Sequence, residues 1–130
     1  MLDTHSPVVQ SHHMRYVRLY NDEDLVTRFE DREFHFAPAD FAPPAPPVDV
    51  SAPTSASAVM MLRFPAGWSD PMHPAPARQW MYLLVGEASI TAGGETRRFS
   101  PGAVLLVEDT EGPGHASEMI TDTLVAVVRT

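Results

Sequence analysis

Two histidines and one glutamine are the residues of this chain whose types and spacing best support chemistry. His73 and Gln79 lie in one short segment, and His115 lies in a separate glycine-rich loop. A neutral imidazole exchanges a proton near pH 7, and a primary amide both donates and accepts hydrogen bonds. A fold that brings the three together would create a catalytic proton-transfer site.

The composition excludes several classes of function. The chain has 130 residues, a formal charge of −8 and no cysteine. Without cysteine there are no disulfides, thiolate metal sites or cysteine nucleophiles. Because nucleic acid and anionic membranes attract clustered Lys and Arg, we expect neither as a partner. We see no secretory signal and no apolar run of membrane-spanning length, so we expect a cytoplasmic protein.

The segments that must position these residues begin after a polar N-terminus. We expect residues 1–13 to form a flexible extension and residues 14–130 to form a single domain. Residues 14–20 alternate as a strand does, with Val17 and Leu19 on one face. Residues 25–36 suit a short helix or a strand, and we favour a strand for the second half. Five prolines in residues 37–47 predict an extended arm on the surface, anchored by Phe41.

The remainder of the chain predicts a series of short strands. Turn residues separate them, and Gly93-Gly94 suits a hairpin because glycine adopts positive φ at little cost. Short strands at this spacing are typical of an all-β sandwich or barrel. The predicted strands are 58–64, 79–85, 87–92, 95–99, 103–107, 118–120 and 124–129.

The glycine and histidine spacing resembles that of the cupin family. Gly67, His73, Gln79 and Gly86 match the first cupin motif in spacing, and a stretch from Gly102 to His115 is similar to the second. The resemblance covers about residues 58–130 and implies a cupin jelly-roll β-barrel that follows the Pro-rich arm.

The resemblance also implies a metal held by three histidines and a glutamate, and this chain departs from that set. Ala75 stands where the second histidine belongs, Gln79 where the glutamate belongs, and Glu108 where a proline belongs. His73, His115 and Gln79 are therefore metal ligands only if a weakly bound Zn, Ni or Fe ion occupies this reduced set, with no cofactor as the other possibility. The other possibility is a metal-free pocket with Gln79 among its lining residues.

Strand alternation suggests which side chains line such a pocket. Met81 and Leu83 share the face of Gln79 and would form an apolar floor, with Trp80 and Tyr82 on the opposite face. Further candidates for substrate binding are Met61, Arg63 and Trp68, the last as a lid or a loop anchor. Glu108 and Asp109 are most simply interpreted as solvated loop acids, and the alternative is that the loop folds inward and one of them completes the set of metal ligands.

These observations leave three functions open. The first is an isomerase, cyclase or lyase that transfers protons on a small hydrophobic or amphipathic molecule without a tightly bound metal. The second is a metal-dependent, oxygenase-like cupin, and the third is a binding protein without catalysis. We lean towards an enzyme. We also expect a homodimer, because Phe41, Trp80 and Tyr82 offer apolar surface.

Overall fold

The computed structural model describes residues 14–130, and the predicted flexible extension 1–13 lies outside them. The described residues form β-strands and no helix. The strands are β1 (Arg15–Asn21), β2 (Thr27–Glu33), β3 (Phe36–Ala39), β4 (Val48–Ser51), β5 (Ala58–Phe64), β6 (Gln79–Val85), β7 (Ala88–Ala92), β8 (Glu95–Phe99), β9 (Val104–Val107), β10 (Ala116–Met119) and β11 (Thr123–Arg129).

The chain divides into two compact units. The described part of the first unit consists of residues 14–15 and 33–53, and the second consists of residues 16–32 and 54–130. In the first unit, β3 and β4 pair antiparallel, with Pro38 opposite Asp49. This segment is exposed and extended, as the run of prolines predicts, although it is a two-stranded ribbon rather than a single strap.

A six-stranded sheet forms one wall of the second unit. Its strand order is β2-β1-β9-β6-β11-β5, and β1 runs parallel to β9 while β6 runs antiparallel to both β9 and β11. Gln79 lies opposite Val107 on one side and opposite Arg129 on the other. Because cross-strand partners point to the same face of a sheet, these three side chains share the inner face.

A three-stranded sheet, ordered β10-β7-β8, forms the opposing wall. Gly93 and Gly94 connect β7 to β8 with φ values of +56° and +80°, which matches the predicted hairpin. Buried apolar side chains from both sheets fill the space between them. They include Leu19, Leu83, Phe99, Leu105, Val107, Val125 and Val127.

The segment that the sequence left open between helix and strand is β2 over Thr27–Glu33. Its first residue, Thr27, is only 1% exposed although its side chain is polar. No helix in residues 14–130 has the length and apolar character needed to cross a membrane.

Candidate functional site

A cavity of about 190 Å³ lies between the two sheets of the second unit. A neighbouring cavity of about 70 Å³ shares several of its walls, including Met81, Val107 and His115. Apolar side chains form most of the larger cavity, and a few polar ones converge on it. Its lining consists of Leu62, Phe64, Trp68, Asp70, His73, Ala75, Pro76, Gln79, Met81, Val107, His115, Ser117 and Met119.

His115 is held against the cavity by a buried carboxylate. Its Nδ1 atom lies 2.6 Å from Oδ2 of Asp109, and Asp109 is completely buried. The hydroxyl of Thr27 donates a second hydrogen bond to the same Oδ2 over 2.9 Å. Since an ionised carboxylate only accepts hydrogen bonds, the proton of neutral His115 sits on Nδ1. The Nε2 lone pair is then available, and within residues 14–130 this atom has no hydrogen-bond partner.

The sequence reading of Asp109 as a solvated loop acid is wrong. The residue lies two positions after the end of β9 and points inward, where its Oδ1 is buried without a hydrogen-bond partner among the described residues. Its backbone oxygen also accepts the N–H of Ala75 over 2.8 Å. Asp109 therefore ties β2, the segment around Ala75 and the His115 loop together at one point.

Glu108, the neighbouring acid, has a different environment. Its carboxylate pairs with the guanidinium groups of Arg18 and Arg78. Burial opposes its ionisation, but the hydrogen bonds from these arginines outweigh that effect and place the pKa of Glu108 below its ordinary value. Glu108 is absent from the cavity lining, so it belongs to a surface ion-pair cluster.

His73 lies where the cavity meets solvent, with 45% of its side chain exposed. Its Nδ1 contacts the backbone oxygen of Pro74 at 2.8 Å, and its Nε2 contacts Oδ2 of Asp70 at 2.6 Å. The rings of His73 and His115 are 5.8 Å apart. Both nitrogens of His73 are engaged, whereas His115 keeps one nitrogen free for a ligand.

The two hydrogen bonds on His73 predict a pH effect. The carbonyl of Pro74 and then the carboxylate of Asp70 favour the protonated ring and hold the pKa of His73 above its ordinary value. Because the folded-state pKa exceeds the unfolded value, His73 stabilises the fold fully below about pH 6.5. This contribution is lost as the pH rises through the folded-state pKa.

We expect an NMR titration of His73 to show a midpoint above that of a model histidine peptide, and Asp70→Asn to move it to lower pH. Asp24→Asn, in an exposed turn, is the matched control and should leave the midpoint unchanged. An equal midpoint in the wild type and Asp70→Asn would contradict the role of this carboxylate.

The backbones of His73 and His115 form a two-way hydrogen-bonded bridge. Each N–H donates to the carbonyl of the other over 3.0 Å. The bridge depends on Gly114, whose φ is +79° and whose added Cβ would lie 1.9 Å from the carbonyl oxygen of His73. A residue without a side chain is therefore required where the two histidine segments cross.

Gln79 is 7% exposed and is oriented by Arg129. The Nε of Arg129 donates to Oε1 of Gln79 over 3.2 Å, which the direct opposition of the two residues in β6 and β11 makes possible.

The predicted substrate-binding residues divide into two groups. Trp68 and Met81 line the larger cavity, Met81 and Leu83 line the smaller one, and the ring of Trp68 packs 4.7 Å from that of Phe64. Met61 and Arg63 do not line either cavity, which corrects their assignment.

The reason for this correction is the phase of alternation in β5. Leu62 and Phe64 point into the cavity, so Met61 faces outward and is 54% exposed. Arg63 instead borders a separate surface groove with Phe64 and Val85. Both faces of AVMMLRF carry a methionine, so composition does not reveal the phase.

Trp80 also differs in part from its expected role. It lies on the outer face of the sheet, as alternation predicts, but it is buried and packs edge-on against Tyr16 with ring centres 5.0 Å apart. It therefore supplies little free apolar surface for a dimer. Phe41 is 74% exposed, and the homodimer stays a prediction.

The donor set does not fit the metal that the cupin resemblance implies. Ala75 offers no donor atom, both nitrogens of His73 are engaged, and Oε1 of Gln79 accepts from Arg129. This leaves Nε2 of His115 as the one free imidazole nitrogen of the predicted set, and the amide nitrogen of Gln79 has no lone pair to offer a metal, whereas a stable site takes about three strong donors. No group of three or more His, Asp or Glu side chains within residues 14–130 is arranged to hold a metal ion.

Sequence reasoning missed Thr27 and Arg129, and it considered Asp109 only as a possible additional metal ligand, not as the partner of His115. The signal for the burial of Asp109 was its position two residues after a fully apolar strand, where side chains can still face the core. Nothing in the sequence pointed to Thr27, which is separated from Asp109 by 82 residues.

Comparison with known proteins gives structural likeness at low sequence identity. No family model matches the chain, and no curated protein matches it. A conserved protein of unknown function from Streptococcus pyogenes, SPY1581, shares 22% identity over 62% of this chain and 70% of its own, with a TM-score of 0.45. The cupin domain of Schizosaccharomyces pombe Cnp3 shares 17% identity over 94% of this chain and 84% of its own, also with a TM-score of 0.45.

Proposed function

We propose that this chain, an all-β protein whose fold matches a cupin domain, binds a small apolar or amphipathic molecule between its two sheets and transfers a proton on it through His115. The observation that carries this proposal is the His115–Asp109 pair at the wall of a mostly apolar cavity. An imidazole held in one tautomer by a buried carboxylate is a general base, because the carboxylate stabilises the imidazolium that forms.

The size of the cavity limits the ligand. An apolar cavity of about 150 Å³ accommodates a benzene molecule, so about 190 Å³ suits a molecule of single-ring size. The aromatic and aliphatic walls, with Phe64, Trp68 and Met81 among them, favour an apolar body. The convergent polar groups, His115 and Gln79, favour one polar handle on that body.

A screen of monocyclic compounds tests binding. We expect some of them to perturb the NMR signals of Trp68 and Met81 and to raise the melting temperature in proportion to ligand concentration. Ala75→Leu, which fills the cavity from its wall, should abolish this response. Ala126→Leu makes the same change on the outer face of β11 and should preserve it. A response that survives Ala75→Leu would place binding elsewhere.

Proton transfer is tested by solvent deuterium incorporation into the bound compounds. His115→Asn keeps a donor for Asp109 but has no base at the position of Nε2. We expect it to fold normally and to lose the accelerated exchange by roughly 10²- to 10⁴-fold. Exchange that continues at the wild-type rate in His115→Asn would refute the role of His115 and leave a binding protein.

The oxygenase-like alternative finds no support in the arrangement of donors described above. The alternative of a binding protein without catalysis predicts the same ligands and no deuterium incorporation, so the same experiment separates it from the proposal.

A further inference from the structure

The amide of Gln79 has a defined orientation. Arg129 donates to it, and a guanidinium has no acceptor atom, so the oxygen of the amide is the atom that faces Arg129. The amide nitrogen, with two N–H donors, is the other end of the group. Gln79 lines the cavity and is only 7% exposed.

The amide nitrogen of Gln79 lacks an intramolecular partner. Among residues 14–130, no hydrogen bond involves its Nε2 atom. This nitrogen is not sealed off in the core, because Oδ1 of Asp109 is the one fully buried side-chain polar atom without a partner in that part of the chain, and Gln79 lines the cavity. A donor left open at a cavity wall favours a ligand with an acceptor oxygen and penalises a purely apolar ligand.

His115 offers the cavity a hydrogen-bond acceptor, whereas Gln79 offers it a donor. Its Nδ1–H is committed to Asp109, so its Nε2 presents a lone pair that accepts a proton. One cavity of single-ring size therefore contains a base and a separate hydrogen-bond donor. A carbonyl compound matches both, since it has an acidic C–H on the carbon beside an acceptor oxygen.

The charges around the cavity favour a neutral carbonyl compound over a carboxylate or phosphate. No Arg or Lys is present in the cavity lining among the described residues, and the one carboxylate there is Asp70. Arg129 reaches the site only through Gln79. Apart from the neutral base His115, His73 is the one described side chain of the lining that can carry a positive charge, and its Nε2 is already paired with Asp70. An anionic ligand would therefore lose its hydration without gaining a free cationic partner.

We propose that the substrate is a small neutral ketone or aldehyde, and that Gln79 donates its amide N–H to the carbonyl oxygen while His115 removes the α-proton. This inference rests on the proposed function. The C–H bond breaks, its proton goes to Nε2 of His115, and its electron pair forms the enolate, whose oxygen is held by Gln79. Return of the proton to the same or to a conjugated carbon restores the carbonyl, so the net reaction is an isomerisation without a co-reactant.

Arg129 is a positioning residue in this scheme, because it acts through Gln79 and does not line the cavity. Its loss would allow the amide to turn and present oxygen instead of nitrogen. A variant without Arg129 should therefore lose its preference for carbonyl ligands but still bind apolar ligands of the same shape.

Two probes of nearly equal shape test the inference. Cyclohexanone carries the carbonyl oxygen, and methylenecyclohexane carries a CH₂ group in its place. In D₂O we expect the wild type to bind cyclohexanone more tightly and to accelerate deuterium incorporation at its α-carbons. We expect Gln79→Leu to slow this exchange roughly 10- to 100-fold, because a hydrogen bond to a developing anion is lost. Its affinity for methylenecyclohexane should be retained.

Gln79→Glu is the second variant, since it preserves the pairing with Arg129 and removes the donor, and we expect the same loss of exchange. Arg129→Met should reduce the preference for cyclohexanone over methylenecyclohexane. Its matched control is Arg78→Met, which removes an arginine that binds Glu108 outside the cavity and should leave both probes unaffected. Thermal melting confirms that each variant is folded.

The outcomes separate the inference from the proposed function. Exchange at the wild-type rate in both Gln79 variants, or equal binding of the two probes by the wild type, would overturn the donor role of Gln79 while His115 remained the base. Binding of both probes without accelerated exchange would overturn carbonyl chemistry and leave a binding protein. Failure of both probes to bind would overturn the proposed function itself.

Discussion

Asp109→Ala is expected to lower the free energy of unfolding by about 3 kcal/mol. The substitution leaves the Nδ1–H of His115 and the hydroxyl of Thr27 buried without an acceptor, and each such group costs about 1–3 kcal/mol. Loss of the buried charge, whose Oδ1 has no partner among the described residues, offsets part of this cost. Urea denaturation measures the change.

The control for this prediction is Asp24→Ala, which removes an exposed carboxylate from the turn between β1 and β2 and should change stability by less than about 0.5 kcal/mol. Asp109→Asn separates stability from chemistry. It keeps one acceptor oxygen, so it should be more stable than Asp109→Ala, but it lacks the charge that stabilises imidazolium. Equal stability of Asp109→Ala and Asp24→Ala would show that Asp109 does not organise the site.

Gly114→Ala is expected to be more disruptive than a change of one methyl group suggests. Gly94→Ala provides the comparison, because Gly94 has φ of +80° and Gly114 has φ of +79°. A Cβ at Gly94 meets no atom within 4 Å. Gly94→Ala should therefore lower the free energy of unfolding only by the cost of a side chain at positive φ, roughly 1–2 kcal/mol. A Cβ at Gly114 also collides with the backbone of His73, which cannot rotate away.

We therefore expect Gly114→Ala to cost at least about 2 kcal/mol more than Gly94→Ala and to break the backbone bridge between His73 and His115. Denaturation gives the first quantity, and amide hydrogen exchange at His73 and His115 gives the second. Similar stabilities for the two variants, with both amides still protected, would contradict the requirement for glycine at this crossing.

The sequence predicted the strands of the second unit closely, for physical reasons. The segments 58–64 and 79–85 coincide with β5 and β6 because turn residues bound them and, apart from Arg63 and Gln79, their side chains are β-branched, aromatic or otherwise apolar. Alternation from Gln79 placed Met81 and Leu83 on the inner face, which is where the structure has them. The all-β class followed from the turn spacing.

The predictions that failed depended on distant contacts. Asp109 is buried because Thr27 and His115 satisfy it, and neither partner is visible in its local sequence. The direction of Met61 depends on which face of β5 packs towards the cavity, and a strand with apolar residues on both faces leaves that open. The orientation of Gln79 required Arg129, whose proximity results from strand pairing.

The parallel pairing of β1 with β9 has a consequence for how the protein folds. Arg18 and Glu108 are 90 residues apart in the chain, so β1 can dock only after the intervening strands have closed a long loop. Contacts of such separation slow folding. Thr27 follows β1 at the start of β2, so Asp109 gains its hydroxyl partner only with this late docking. The recovery of ligand binding during refolding should therefore lag behind formation of the β6–β11 pair, which makes binding a kinetic reporter of the last step.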